Sequence, residues 1–267
     1  MLLLLSPAKK LDYDSSVRTT LHTQPLFIEQ ARDLIQVLKK KSASEIAGLM
    51  KLSEALAKLN VERYAAWKPV FDQTNARQAV LAFNGDVYEG LDASSLSDAQ
   101  LKWAQDHVAL LSGLYGVLRP LDLMRPYRLE MGTRLETRKG ATLYDFWRPA
   151  IAPYLNSRLA ELAKGKAGKG KAVVLNLASE EYFKSVDLKA LQADVVQCVF
   201  QDFKNGAWKV ISFHAKRARG LMARHVVENR ITDPAKLRGF ASEGYAFDSA
   251  VSSPAKLVFR RAGQAKS

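Results

Sequence analysis

Apolar positions along the chain follow more than one period. Leu2–Leu5 is an unbroken apolar run closed by Ser6-Pro7, the pattern of a strand buried on both faces. Residues 25–38, 44–50 and 53–67 instead show helical spacing, with many Lys, Glu and Ala, and predict helices. Residues 79–83 read as a second buried strand, ended by the turn signal Asn84-Gly85-Asp86. Ser97, with Gln100 three residues on, forms a capping box, so a helix is expected from there to about Leu111, where Ser112-Gly113 interrupts it. Residues 128–136 suggest extended chain. Residues 143–164 suggest a helix with interruptions at Pro149 and Pro153, and residues 171–177 a strand. The runs 194–203 and 207–213 flank Asn205-Gly206, the best hairpin signal in the chain. A basic helix over 215–229 and a strand over 256–260 complete the series. Strands and helices mix without strict alternation, repeat or linker. The expected fold is therefore α+β: a single domain over 1–267, with a mixed β-sheet flanked by helices.

Length and composition fit that reading. The chain has 267 residues, near the upper end of what one core serves. With 48% of residues hydrophobic and 25% charged, a sizeable core needs no covalent staples. One cysteine, Cys198, excludes an internal disulfide and fits a reducing compartment; within the apolar run 195–200 it reads as an inert core thiol. The opening Met1-Leu2-Leu3-Leu4-Leu5 is not expected to be a signal peptide, because no basic residue precedes it and Ser6-Pro7 ends it. No apolar stretch approaches the ~20 residues that span a bilayer. A soluble, cytoplasmic protein without a membrane partner is expected. Charge changes the picture more: 40 Lys and Arg against 27 Asp and Glu leave +13, with a pI near 9.7. Such an excess draws polyanions, since each neutralised phosphate releases condensed counterions.

Several motifs resemble chemistry without supporting it. The run GKAGKGK from Gly165 to Lys171 matches most of a P-loop, but Ala172 denies magnesium a hydroxyl and the run leads into a strand instead of following one. It reads as a lysine-rich connector. Ser6-Pro7-Ala8-Lys9 has the S-x-x-K spacing of serine acyl-enzymes, yet S-D-N and K-T-G are absent. His22, His107, His214 and His225 form no close pair and there is no C-x-x-C, so no metal or cofactor is expected. His225 reads as a core histidine.

Two features suit DNA. In residues 103–131, the helix expected to end near Leu111 meets Ser112-Gly113-Leu114-Tyr115-Gly116-Val117-Leu118, followed by Arg119, Arg125 and Arg128. Two glycines three apart among apolar residues resemble a helix-hairpin-helix, whose bare turn approaches a phosphate backbone. Two residues separate the glycines where the motif has one, and Pro120 limits the second helix. The competing reading is a tight packed turn braced by arginines. The second feature is the basic helix: at 100° per residue Lys216, Arg217, Arg219 and Arg224 fall in an arc of roughly 160°, opposite Ala218, Leu221, Met222 and Val226. Gly220 lies inside that arc, where bare backbone would admit a phosphate or another chain. No acidic partner at i+4 is apparent. Neither feature carries a base code; both would give phosphate contacts and salt dependence.

Together these motifs resemble one family. LLLLSPAKKLDY at the start, LAFNGDVYEGL (81–91), LSGLYGVLRPLDLMRPYRLEMG (111–132), NLASEEYFKSV (176–186), FHAKRARGLMARHVVENRI (213–231) and SEGYAFD (242–248) are similar, in order and over nearly the whole chain, to the YaaA peroxide-stress family. Lys10 and the GKAGKGK connector read as local variations of no consequence. The resemblance implies a mixed α/β domain with a basic cleft, binding to double-stranded and distorted DNA, and survival of peroxide by limiting damage from unincorporated iron. Carried onto this sequence it makes Gly113, Gly116 and Arg119 the first expected DNA contacts, with Arg125 and Arg128 beside them. Lys216, Arg217, Arg219 and Arg224 come next, and Lys9 and Lys184 line a cleft. No catalytic residue is assigned. The alternative is an enzyme whose polar pocket gathers Ser6, Lys9, Asp86, Tyr115, Arg128 and Glu181, because sites sit on loops held by a rigid scaffold.

Overall fold

A computed structural model describes residues 1–164 and 171–262. Its centre is the predicted first strand. Leu2, Leu3, Leu4 and Leu5 are each at most 1% exposed. Successive strand residues point to opposite faces, so both faces of the sheet are covered here. Leu2–Leu5 pairs in parallel with Val108–Ser112 on one side and with Val173–Asn176 on the other. Beyond Val173–Asn176 lie Asp194–Lys204 and then Lys256–Arg261, again parallel. Three short strands, Gly116–Leu118, Ala207–Lys209 and Ala246–Phe247, are added antiparallel at the periphery. The sheet is mixed, helices surround it, and the fold is α+β.

Local signals explain many elements. Ser42, Ser53, Ser97 and Thr142 cap Ala43–Met50, Glu54–Ala66, Asp98–His107 and Leu143–Ala163 with their hydroxyls, satisfying N–H groups that have no intrahelical partner. Asn205 and Gly206 take φ of 53° and 74° between Lys204 and Ala207, the left-handed pair a two-residue hairpin turn requires.

Other expectations are corrected. The helix from Ser97 stops at His107, and Val108–Ser112 is a strand of the sheet, between Leu2–Leu5 and the edge strand Gly116–Leu118. A short apolar run fits a buried strand as well as a helix, and here the edge of Leu2–Leu5 claims it. The glycine segment is accordingly a strand hairpin, Val108–Ser112 against Gly116–Leu118, and not a pair of helices. Ala79–Ala82 forms one helical turn instead of a strand, and the N–H groups of Ala79 and Val80, which a helix start leaves without intrahelical partners, donate to the carbonyls of Asp122 and Pro120 at 2.9 and 3.0 Å. Leu143–Ala163 runs unbroken through Pro149 and Pro153. Burial of Phe146, Trp147, Ile151, Ala152, Leu155 and Leu159 outweighs the two missing hydrogen bonds. The basic helix begins at Ser212, three residues early, and ends at Glu228.

Candidate site at the carboxyl ends of the central strands

From Leu2–Leu5 the chain returns to the sheet on one side, at Val108–Ser112. From Val173–Asn176 it returns on the other, at Asp194–Lys204. Where connections diverge in this way, an open sheet leaves a crevice beyond the carboxyl ends of its strands. Ser6 and Ser179 follow those two strands and meet in the crevice. The Ser179 N–H donates to Ser6 Oγ at 2.8 Å, and the Ser6 hydroxyl donates to Ser179 Oγ at 3.2 Å. The Tyr88 hydroxyl donates to the Ser6 carbonyl at 3.0 Å, fixing the bend.

Above this floor is a cleft of about 470 Å³ whose lining includes Lys9, Lys10, Lys216 and Arg219 together with Asp86, Glu130 and Glu181. Lys9 is committed: its ammonium lies 3.0 Å from Glu130. Burial pushes the Glu130 carboxyl up, but hydrogen bonds from Arg128 and Lys9 outweigh it and hold the group below the usual carboxylate range. Glu181 accepts from the Gly132 N–H at 3.0 Å. Arg219 differs. Its guanidinium is partly buried and makes no hydrogen bond or ion pair among the described residues, and desolvation lowers its pKa against a small opposing effect of Cys198. Lys10, Lys216 and Asp86 are likewise without an ion pair among the described residues.

A helix crossing sets this geometry. Asp86–Leu91, which carries Asp86 into the cleft, packs on Ser212–Glu228, which carries Lys216 and Arg219. The two cross at glycines. A Cβ on Gly220 would collide with the Val87 carbonyl and lie 2.8 Å from Leu91 N. A Cβ on Gly90 would collide with the Arg217 carbonyl and lie 2.9 Å from Leu221 N. Gly220 thus admits another segment of its own chain. The middle of the basic arc is a packed face, not a free one.

The structure distributes the predicted site residues unevenly. Gly113 and Gly116 are buried. Gly113 lies against the Leu129 carbonyl and Gly116, at φ 66°, under the Trp147 ring. Their need for glycine is internal packing. Arg119 grips the fully buried Asp122 at 2.8 Å, and Arg125 donates to the Ala66 carbonyl at 2.7 Å. Arg128 pairs with Glu130 at 2.7 Å and borders a small hollow beside the cleft. Arg217 pairs with Glu243 at 2.6 Å. Arg224 donates to the carbonyls of Leu91 and Asp92 and pairs with Glu228 at 2.8 Å, an i+4 acidic partner the sequence reading had missed. Lys184 lies over the Tyr144 ring at 5.2 Å. Only Lys9, Lys216 and Arg219 of the predicted contacts share the cleft.

The alternative pocket is assembled in part. Ser6, Lys9, Asp86 and Glu181 line the cleft, whereas Tyr115 is buried elsewhere, accepting from Trp67 Nε1 at 3.0 Å. The Ser6 hydroxyl is bonded to Ser179 and Lys9 to Glu130, so the Ser–Lys relay is not formed. Sequence reasoning passed over Ser179 and discounted Lys10. The available signal was positional: Ser179 closes a buried apolar strand as Ser6 does.

Elsewhere, a cavity of about 330 Å³ has its cations spoken for, Arg77 by Asp12 at 3.2 Å and Arg18 by Asp98 at 3.0 Å. Among the described residues no three His, Cys, Asp or Glu side chains are grouped to hold a metal ion, and no helix is long and apolar enough to cross a membrane. Of the GKAGKGK run, positions 165–170 lie outside the described residues, and Lys171 pairs with Asp194 at 2.6 Å.

Comparison with known proteins gives a consistent picture. The family model described as peroxide stress protein YaaA matches residues 1–251. A UPF0246 protein of Bordetella petrii is 69% identical over 261 residues, covering 98% of this chain and 99% of the relative. A UPF0246 protein of Albidiferax ferrireducens is 61% identical over 261 residues, covering 98% of each.

Proposed function

We propose, for a chain that belongs to the peroxide stress protein YaaA family, that it acts during peroxide stress by binding DNA, gripping the sugar–phosphate backbone with the cations of the strand-end cleft. The observation that supports this most is the gathering of Lys10, Lys216 and Arg219 around one cleft with no ion pair among the described residues. Cations without acidic partners are the ones available to phosphate. The net charge of +13 supplies the long-range attraction. Ferrous iron and peroxide yield hydroxyl radical, which attacks DNA. On this reading a protein lying on the strand limits the damage that intracellular iron does.

The test is a titration of duplex DNA at several salt concentrations. Affinity should fall by about one log unit per log unit of salt for each phosphate contacted. Replacing Lys10, Lys216 and Arg219 together by alanine should flatten that slope for all sequences alike. A slope unchanged in the triple variant would remove the cleft from the contact surface. A second reading, catalysis at the same cleft, draws on the bonded Ser6–Ser179 pair at the strand ends. It requires turnover that Ser6→Ala abolishes.

A further inference from the structure

The cleft is small for what it is proposed to touch. At about 470 Å³ it has the size of a small-molecule pocket and cannot take in a length of duplex. Nor is it uniformly positive. Lys9, Lys10, Lys216 and Arg219 share its lining with Asp86, Glu130 and Glu181, four cations to three carboxylates. A site for bare phosphate has no use for carboxylates that repel it. A site for a ligand carrying both an anion and hydrogen-bond donors uses both.

The unused groups say what that ligand offers. Arg219 presents a planar fork of donors with no partner among the described residues, and the natural complement is the paired oxygens of a phosphate. Lys216, one turn away on the same helix, can share the charge. Asp86, in the same lining, has acceptor oxygens with no donor among the described residues, and the Ser6–Ser179 pair lines the cleft with it. Pro7, Ala8 and Val87 add an apolar stretch of wall.

We propose that the cleft binds one nucleoside monophosphate unit, its phosphate on Arg219 and Lys216 and its hydroxyl or amino donors on Asp86 and the serine pair. The inference rests on the reading of this cleft as the DNA-contact site and adds that one nucleotide enters it. The same chemistry is offered by a free nucleotide and by a nucleotide within a strand.

The four deoxynucleoside 5′-monophosphates, each alone, deoxyadenosine and inorganic phosphate are titrated by calorimetry into the full chain, with a parallel titration of duplex DNA. At least one monophosphate should bind, with the nucleoside and inorganic phosphate weaker by about tenfold or more. Arg219→Ala and the exposed Lys216→Ala should each weaken the monophosphate, the former by about tenfold or more and the latter with an unchanged unfolding midpoint. Asp86→Asn should weaken it while leaving phosphate binding no weaker than before, since a repelling carboxylate is removed. Displacement of a bound single-stranded oligonucleotide by the monophosphate identifies the strand as the source; binding without displacement identifies the free nucleotide. Duplex binding sensitive to the cleft variants, with no monophosphate binding, overturns the inference and leaves the DNA reading standing. Inorganic phosphate binding as tightly as every monophosphate also overturns it. Monophosphate binding with no duplex binding refutes the DNA reading instead.

Discussion

Gly220→Ala tests the helix crossing that builds the cleft. In an isolated helix the change would stabilise by about 1 kcal/mol, because alanine is the better helix former. Here the new Cβ would enter the Val87 carbonyl and come to 2.8 Å from Leu91 N. Ordinary contact needs about 3.5 Å, so relieving the collision with the Val87 carbonyl requires Asp86–Leu91 to move away by well over an ångström. Overpacking of this kind costs about 1–3 kcal/mol, and the obstacle is backbone, which yields less than a side-chain tip. With the cost taken at the upper end, about 3 kcal/mol, and the propensity gain of about 1 kcal/mol deducted, a net loss of about 2 kcal/mol is expected, or roughly 4–8 °C in Tm for a chain of this size. Gly48→Ala is the control. Gly48 is exposed, lies within Ala43–Met50, and its Cβ would meet nothing within 4 Å, so the same exchange should raise Tm there.

Coupling sharpens the test. Gly90→Ala should be costly for the same reason, at the same crossing. One outward shift of Asp86–Leu91 relieves both collisions, so the double variant should lose less than the sum of the singles, by about 1 kcal/mol. Urea unfolding of the four proteins measures this. A Gly220→Ala protein as stable as Gly48→Ala, or strictly additive effects at 90 and 220, would refute the packing reasoning.

Asp122→Ala removes the buried carboxylate that accepts from the Arg119 N–H and guanidinium at 2.8 Å each and from the Thr23 hydroxyl at 2.6 Å. It should cost about 3–5 kcal/mol by stranding a partly buried guanidinium, and thermal unfolding that moves by only a degree or two would count against this. His225 packs edge-on to Phe240, and burial lowers its pKa from 6.5. The unfolded chain then binds more protons, so its contribution to stability is complete above about pH 6.5 and is lost as pH falls through the lower folded value. His225→Gln should flatten the urea-midpoint profile between pH 7.5 and 5, and an unaltered profile would contradict the assignment. Cys198 is buried in the strand Asp194–Lys204 and burial pushes its thiol pKa up, so iodoacetamide at pH 8 should modify it only in denaturant. Stoichiometric labelling of the native protein would mean the thiol is reactive.

What could be read from the sequence was local. Leu2–Leu5 announces itself because a run with no polar position that Ser6-Pro7 cuts off at once is too short for a helix and fits a strand buried on both faces, and Asn205-Gly206 because few residues tolerate the required φ. Ser97 with Gln100 marked a helix start in the chain itself. What could not be read was partnership across the chain. Nothing near Val108 says that the edge of Leu2–Leu5 will capture it as a strand. Nothing near Gly113, Gly116 or Gly220 says whether the bare backbone faces a ligand, a tryptophan ring or another helix. The site itself joins stretches around Ser6, Asp86, Glu130, Ser179 and Lys216, far apart in sequence. Ser6, Asp86 and Glu181 could be nominated from loop position, but only topology brings Ser179 alongside them.

The pairing pattern also separates two uses of charge. Arg119, Arg217 and Arg224 looked like a binding face in sequence, yet each has a carboxylate within 3 Å and carbonyl or helix contacts that hold segments together. Ion pairs of this kind add little to the field beyond their own surroundings. The charges behind the net +13 are screened within about 8 Å at physiological salt. On the proposed DNA-binding reading, those charges govern how often a polyanion arrives. The cleft is nearly balanced, partly desolvated at Arg219 and lined by hydroxyls and carboxylates, which suits it to discriminate among ligands once they arrive. Attraction should therefore weaken steeply with salt, while selectivity between nucleotide and phosphate at the cleft weakens much less. A single measurement at low salt would confuse the two.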